Sequence, residues 1–115
     1  MTNTFGKKLR ELRRFKGVSQ RDLATKVGVD FSYISKVEND RLPPPAADTI
    51  VKICEVLDVP SDELLSLTGK IPTKVKKMLS SSPSAIGFIQ QAYEMNLTES
   101  DWEKMVQELK RLRKD

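Results

Sequence analysis

Apolar residues recur along almost the whole chain at intervals of three and four positions. The first such stripe consists of Phe5, Leu9, Leu12 and Phe15. This spacing is typical of amphipathic helices, whereas a half-buried strand would alternate at every second residue. Nearly every segment follows the helical spacing, and the pattern therefore predicts an all-α protein.

Residues that end or begin helices divide the first 69 positions into five short elements. The breaks lie at Gly17-Val18-Ser19, Gly28-Val29-Asp30, Pro43-Pro44-Pro45, Val59-Pro60-Ser61 and Gly69. Glycine suits the position after a helix, and a serine hydroxyl suits the position before one. Ser19 and Ser61 are accordingly expected to cap the second and fifth helices. Residues 1–69 are predicted to be one five-helix domain.

Residues 70–115 are predicted to form three further amphipathic helices. Thr98 and Asp101 have the spacing of a capping box, with Asp in place of Glu, and should start the last helix. Three short helices would leave much apolar surface in water. We therefore expect a homodimer, with packing against the first domain as the alternative. The predicted dimer interface is the apolar stripe of the last helix: Trp102, Met105, Val106, Leu109 and Leu112.

The composition argues against catalysis and against export. The chain has 115 residues, no histidine and one cysteine, so the commonest general base and the usual zinc ligands are missing. No glycine-rich phosphate loop, apolar run of membrane-spanning length or secretory leader is evident. We expect a cytoplasmic protein that is not an enzyme and has neither a metal nor a cofactor.

Positive charge is concentrated in the first third of the chain. The balance is +5 over residues 1–41, −4 over residues 42–69 and +3 over residues 70–115. A basic segment attracts a polyanion, and DNA or RNA is the obvious candidate. The alternative is that the lysines and arginines only solvate helix surfaces.

The segment from Ser19 to Arg41 carries the functional signal. It combines a helix, a tight turn at Gly28 and a second helix, with the small Ala24 where the two must approach. This geometry projects the first turn of the second helix outward, where it can enter a major groove. The segment resembles the helix-turn-helix domain of lambda-type repressors and the xenobiotic-response-element regulators. The matching pairs are Ser19-Gln20, Leu23-Ala24, Gly28-Val29, Ile34-Ser35 and Glu38-Asn39, within a likeness that covers about residues 5–67.

The resemblance implies a role for each matching position. Gln20 would hold a DNA phosphate, and Asn39 and Arg41 would hold the backbone beyond the recognition helix. Arg13 and Glu38 would form a structural ion pair. The residues expected to read base edges are Asp30, Phe31, Ser32, Tyr33 and Lys36.

Three positions near the expected DNA surface depart from that simple assignment. For Phe31 and Tyr33 the alternative is packing against the first helix. Asp40 stands where the family often has glycine, so we expect an aspartate with positive φ. Its charge, like that of Asp30, would weaken non-specific attraction to DNA.

The function that the resemblance implies is sequence-specific regulation of transcription. The chain would bind double-stranded DNA as a homodimer on a palindromic operator, most often as a repressor. The alternatives are an antitoxin or a restriction–modification controller of the same fold, or a protein–protein adaptor that has lost DNA binding. The layout also resembles radiation-response repressors whose tail is cut by a separate metallopeptidase, which makes such an enzyme a candidate partner.

Overall fold

The computed structural model describes residues 4–113, and this range is entirely helical apart from turns and loops. The all-α prediction is confirmed. No helix in the range is long and apolar enough to cross a membrane. The helices are α1 (Phe5–Phe15), α2 (Gln20–Val27), α3 (Phe31–Glu38), α4 (Ala47–Leu57), α5 (Asp62–Ser66), α6 (Thr73–Ser80), α7 (Pro83–Glu94) and α8 (Glu99–Leu112).

The chain divides into two compact units, residues 1–75 and residues 76–115. The first unit therefore extends a few residues beyond Gly69, where the sequence places the domain boundary. Two side chains after Gly69 are hydrogen-bonded within this unit. Lys70 Nζ donates to the carbonyl oxygens of Pro44 and Pro45 at 3.0 and 2.9 Å. The backbone N–H and the hydroxyl of Thr73 donate to the Asp48 carboxylate at 2.9 and 2.7 Å.

Local capping fixes the turn between α2 and α3. The Ser19 hydroxyl accepts a hydrogen bond from the backbone N–H of Asp22 at 3.0 Å, as the sequence predicts. Gly28 ends α2 with φ +88°, a left-handed conformation that side chains with a Cβ rarely adopt. Asp30 then precedes α3 in an extended conformation. The first turn of α3 that follows this junction is exposed at Asp30, Phe31 and Ser32.

One core joins the five helices of the first unit. Fully buried aliphatic side chains fill this core. Burying each of them stabilises the folded state by about 1.5–3 kcal/mol relative to leaving it in water. Cys54 also lies in this core, where burial, followed by the charge of Asp62, raises the pKa of its thiol to about 11. The side chains with no measurable exposure are Leu9, Leu23, Ile34, Ile50, Ile53 and Leu64.

A glycine lets α1 approach the end of α3 very closely. A Cβ atom built on Gly6 would lie 2.5 Å from the Val37 carbonyl oxygen and 2.6 Å from both the Glu38 carbonyl oxygen and Asp40 Oδ1. Real Cβ atoms do not approach oxygen so closely. Any other residue at this position would push α1 away from α3.

The fifth helix lacks the cap that the sequence predicts. Ser61 precedes α5 but makes no side-chain cap, since its backbone is helical (φ −86°, ψ −13°) rather than extended. The helix ends at Ser66, and Leu67 is its C-cap residue.

The second unit has well-formed helix starts and little core. Ser82 caps α7, and Thr98 and Asp101 form the predicted capping box at α8. Among the described residues of this unit only Ala92 is buried, at 6% exposure. Its other apolar side chains are partly or largely exposed.

Candidate nucleic-acid interface

The two faces of α3 have different surroundings. Ile34 and Val37 are buried in the core, which fixes the rotation of the helix about its axis. Ser32 and Lys36 are exposed, one turn apart on the outward face. The outward face therefore offers a hydroxyl and a cation to solvent, and both can bond base edges or phosphates.

A buried carboxylate holds α3 from behind. Glu38, at 1% exposure, accepts two hydrogen bonds from the Arg13 guanidinium at 2.6 and 2.9 Å. Gln20 Nε2 donates to the same carboxylate at 2.9 Å. Arg10 Nε lies 3.5 Å from it. The Arg13–Glu38 ion pair implied by the resemblance is thus formed, and it ties α1 to the end of α3. The Gln20 hydrogen bond ties α2 to the same carboxylate.

Two opposing effects act on the pKa of Glu38. Burial on its own raises it, because a charged group is less stable away from water. Hydrogen bonds from Arg13, Gln20 and Arg10 stabilise the charged form, and together they outweigh burial, so the pKa lies below its usual value. The carboxylate is therefore ionised at neutral pH.

The polar residues that follow α3 are also held in place. Asn39 Nδ2 donates to the Ser35 carbonyl at 2.8 Å, and Asn39 Oδ1 accepts from Arg10 Nη2 at 2.6 Å. Asp40 has φ +58°, as expected for an aspartate at a glycine position, and accepts from the Thr4 hydroxyl at 2.8 Å. Arg41 is exposed just beyond this turn.

The aromatic residues of the first turn of α3 have separate environments. Phe31 is 37% exposed, and the Arg21 guanidinium lies over its ring, 4.4 Å from the centroid. Tyr33 is half-buried against the core and lines an open cleft with Gly28 and Thr49. Phe31 thus contacts a residue of α2, while Tyr33 combines packing with access to solvent.

The predicted interface residues of α8 remain accessible in the second unit. They are Trp102 (37% exposed), Met105 (37%), Val106 (47%), Leu109 (68%) and Leu112 (74%). A cleft of about 260 Å³ lined by α7 and α8 side chains, among them Phe88 and Met105, adjoins this stripe.

Sequence reasoning missed two arginines of the first unit. Arg10 bonds Asn39 and approaches Glu38, and Arg21 stacks on Phe31. Both belong to the basic first third of the chain. That signal marks the region but does not distinguish one arginine from another.

Comparison with known proteins identifies the domain. Residues 9–64 match the family model described as helix-turn-helix. The chain is 40% identical over 67 residues to an uncharacterized HTH-type transcriptional regulator, RghRB, of Bacillus subtilis, covering 58% of this chain and 48% of that protein. It is 37% identical over 68 residues to the HTH-type transcriptional repressor RghR of the same organism, covering 59% and 50%. The chain thus spans about half the length of the curated relatives that it matches.

Solved structures agree with the sequence matches. The structure of SinR, described as the master regulator for biofilm formation, in complex with DNA is 35% identical. The match covers 54% of this chain and 98% of the SinR chain, with a TM-score of 0.51. A chain of the SinR–SinI protein complex is similar in fold over 97% of this chain and 100% of its own, with a TM-score of 0.53 at 22% identity. The chain therefore belongs to the helix-turn-helix family of the lambda-repressor-like, xenobiotic-response-element type, with its helix-turn-helix domain at residues 9–64.

Proposed function

We propose that this chain is a sequence-specific DNA-binding regulator of transcription. The observation that carries the proposal is the outward face of α3, exposed at Ser32 and Lys36 and fixed from behind by the buried Glu38. Preorganised donors on an exposed helix are what major-groove recognition requires. The likeness to a SinR structure solved with DNA supports the same function.

Within this proposal the site residues divide into two groups. Gln20, Asn39 and Arg41 contact phosphates and set the register of the domain on the duplex. Gln20 and Asn39 are already oriented by hydrogen bonds to Glu38 and Ser35, so little side-chain entropy is lost on binding. The residues that face the bases are Asp30, Phe31, Ser32, Tyr33 and Lys36.

The second unit supports a homodimer. Its described helices leave the α8 stripe and the neighbouring α7 side chains exposed, and a second copy would bury them. A two-fold dimer would place two copies of α3 in successive major grooves, so the operator would be a palindrome with half-sites about one helical turn apart. The name of RghR as a repressor favours repression as the mode of action.

The first experiment is selection of bound duplexes from a randomised library at about 0.15 M salt, where long-range attraction is largely screened. Enrichment of a palindrome supports the regulator, and its half-site spacing reports the dimer geometry. Binding without enrichment contradicts sequence-specific recognition and favours the adaptor or an antitoxin that needs its partner.

Incubation with a purified metallopeptidase, followed by mass spectrometry of residues 70–115, separately tests the candidate partner.

Two substitutions test the division of the site. Lys36→Ala should cost about 1–3 kcal/mol of binding free energy and relax the preference at one base pair, because Lys36 would donate to a base edge. Arg41→Ala should weaken binding to all sequences alike and reduce the salt dependence, because Arg41 would contact a phosphate. Titrations on selected and scrambled duplexes at several salt concentrations separate the two. Equal behaviour of the variants contradicts the division.

A further inference from the structure

The first turn of α2 contacts both ends of α3 through two adjacent side chains. Gln20 donates to Glu38, the last residue of α3. Arg21 stacks on Phe31, the first residue of α3, with 4.4 Å between the guanidinium carbon and the ring centroid. Gln20 thus contacts the C-terminal end of α3, and Arg21 is the α2 side chain that contacts its exposed start.

The stacked arrangement restricts the Phe31 ring. At 37% exposure the ring is not enclosed by the core, and an unrestrained phenylalanine there would sample several rotamers. A guanidinium over the ring face is attracted by the negative quadrupole of the ring. It therefore favours one ring orientation and leaves the ring edge open to solvent.

Stacking leaves the hydrogen-bonding edge of Arg21 available. In the part of the chain that the structure describes, its guanidinium has neither an ion pair nor a hydrogen bond to a carboxylate. The cation lines an open cleft of about 430 Å³ with Arg13, Arg14, Ser19 and Gln20. A guanidinium that lies over an aromatic ring keeps N–H groups that can donate hydrogen bonds to other acceptors.

We propose that Arg21 is a positioning residue for base recognition: it holds the Phe31 ring against the 5-methyl group of a thymine. A phenylalanine ring contacts that methyl group in a major groove but makes no hydrogen bond to a base, so its selectivity depends on its placement. The inference rests on the proposed function, because it requires that α3 enters a major groove.

The test uses the selected operator and copies in which each thymine is replaced in turn by uracil, which lacks only the methyl group. The full chain should lose affinity at one thymine of each half-site. Phe31→Ala should remove this thymine preference, because Phe31 makes the methyl contact. Arg21→Ala should reduce it by about two- to fivefold, the size of an exposed cation–π contact. The double variant should lose no more than the larger single effect, since both residues serve one contact.

Further variants separate positioning from charge. Arg21→Lys keeps the cation but lacks the planar group, and should reduce the thymine preference while retaining the salt dependence of binding. Arg14→Ala is the matched control, because Arg14 is exposed and lines the same cleft. It should weaken binding to thymine and uracil duplexes by equal factors. Thermal unfolding of every variant checks that the fold is unchanged.

The outcomes distinguish this inference from the proposed function. If an operator is selected but Arg21→Ala weakens binding to the thymine and uracil duplexes equally, the positioning role is overturned and the regulator stands. The same holds if no uracil replacement changes affinity. If the library yields no operator, both proposals are overturned together.

Discussion

The Glu38 carboxylate is held by several hydrogen bonds behind the proposed DNA interface. It lies out of contact with water yet receives hydrogen bonds from side chains of α1 and α2. No buried side-chain polar atom in the described range lacks a partner. Such a network is stable when complete and costly when one member is removed, because the remaining charges are left buried.

Removal of the carboxylate should therefore destabilise the first unit strongly. Glu38→Ala leaves the buried Arg13 guanidinium without its partner, and we expect a loss of about 3–5 kcal/mol in the free energy of unfolding. Chemical denaturation followed by far-UV circular dichroism measures it. Glu63→Ala is the control: it removes a carboxylate 2.7 Å from Lys8 that is 63% exposed, and should change stability little. Similar losses in the two variants would contradict the assigned importance of the buried network.

The same group makes stability depend on pH in the acid range. The pKa of Glu38 is lower in the folded protein than its usual value of 4.5. The unfolded state therefore takes up the proton first, and the stabilisation is complete above about pH 4.5 and is lost as the pH falls through the folded-state pKa. Glu38→Gln cannot titrate, so the stability difference between wild type and variant should shrink below pH 4.5. A difference that stays constant from pH 7 to pH 3 would contradict this linkage.

The sequence locates the residues of the site but not their pairwise contacts. The spacing of Glu38 and Arg13 within the family pattern predicts their ion pair, which the structure contains. No local sequence pattern predicts that the Gln20 side chain contacts Glu38 while that of its neighbour Arg21 contacts Phe31. Those directions depend on the packing of α2 against α3, which is a tertiary property.

At the scale of the helices, local chemistry explains where a helix begins and ends better than it explains how closely two helices approach each other. The caps at Ser19 and Thr98 follow from the residue types and their neighbours, and the positive φ of Asp40 follows from the family resemblance. Ser61 has the right side chain for a cap, but its backbone is helical and the cap is not made. The close approach at Gly6 has no sequence signature, because a glycine inside a helix equally well indicates weakness or contact.

Two glycines inside helices should respond oppositely to the same substitution. Gly6→Ala forces a Cβ to within 2.6 Å of three oxygen atoms of α3 and the turn after it, and should cost about 1–3 kcal/mol of stability. Gly87→Ala in α7 meets nothing within 4 Å, and should gain about 0.5–1 kcal/mol from helix propensity. Thermal and chemical unfolding compare the pair. A gain from Gly6→Ala would show that α1 and α3 are not in close contact in solution.

At the scale of the whole molecule, the two units differ in how many of their apolar side chains they bury. The first closes a core with five helices, whereas the described part of the second buries only Ala92. Apolar periodicity predicts the helices of both units equally well. It does not tell whether an apolar stripe is covered by the same chain or by another, so the homodimer stays a prediction.

A charge within the α8 stripe should dissociate the proposed dimer. Leu109→Asp places a carboxylate at a position that is 68% exposed in the single chain and that the proposed dimer would bury. We expect monomers by sedimentation, at least a tenfold loss of operator affinity, corresponding to about 1.4 kcal/mol, and an unchanged helix content. Glu103→Gln, on an exposed position of the same helix, should remain dimeric. A wild-type chain that is monomeric throughout the accessible concentration range would contradict the interface.

The hydrogen bonds that hold Lys70 and Thr73 have a consequence for proteolysis. A peptidase binds its substrate as an extended strand, so it prefers segments that detach easily from the fold. The residues after Gly69 resemble an open linker in sequence. In the structure, however, Lys70 is hydrogen-bonded to two proline carbonyls and Thr73 to the Asp48 carboxylate. An enzyme that severs the tail must first break these four bonds or cut on the C-terminal side of them. Cleavage on the C-terminal side of Thr73 would need none of these bonds to open, and it would leave the helix-turn-helix domain whole.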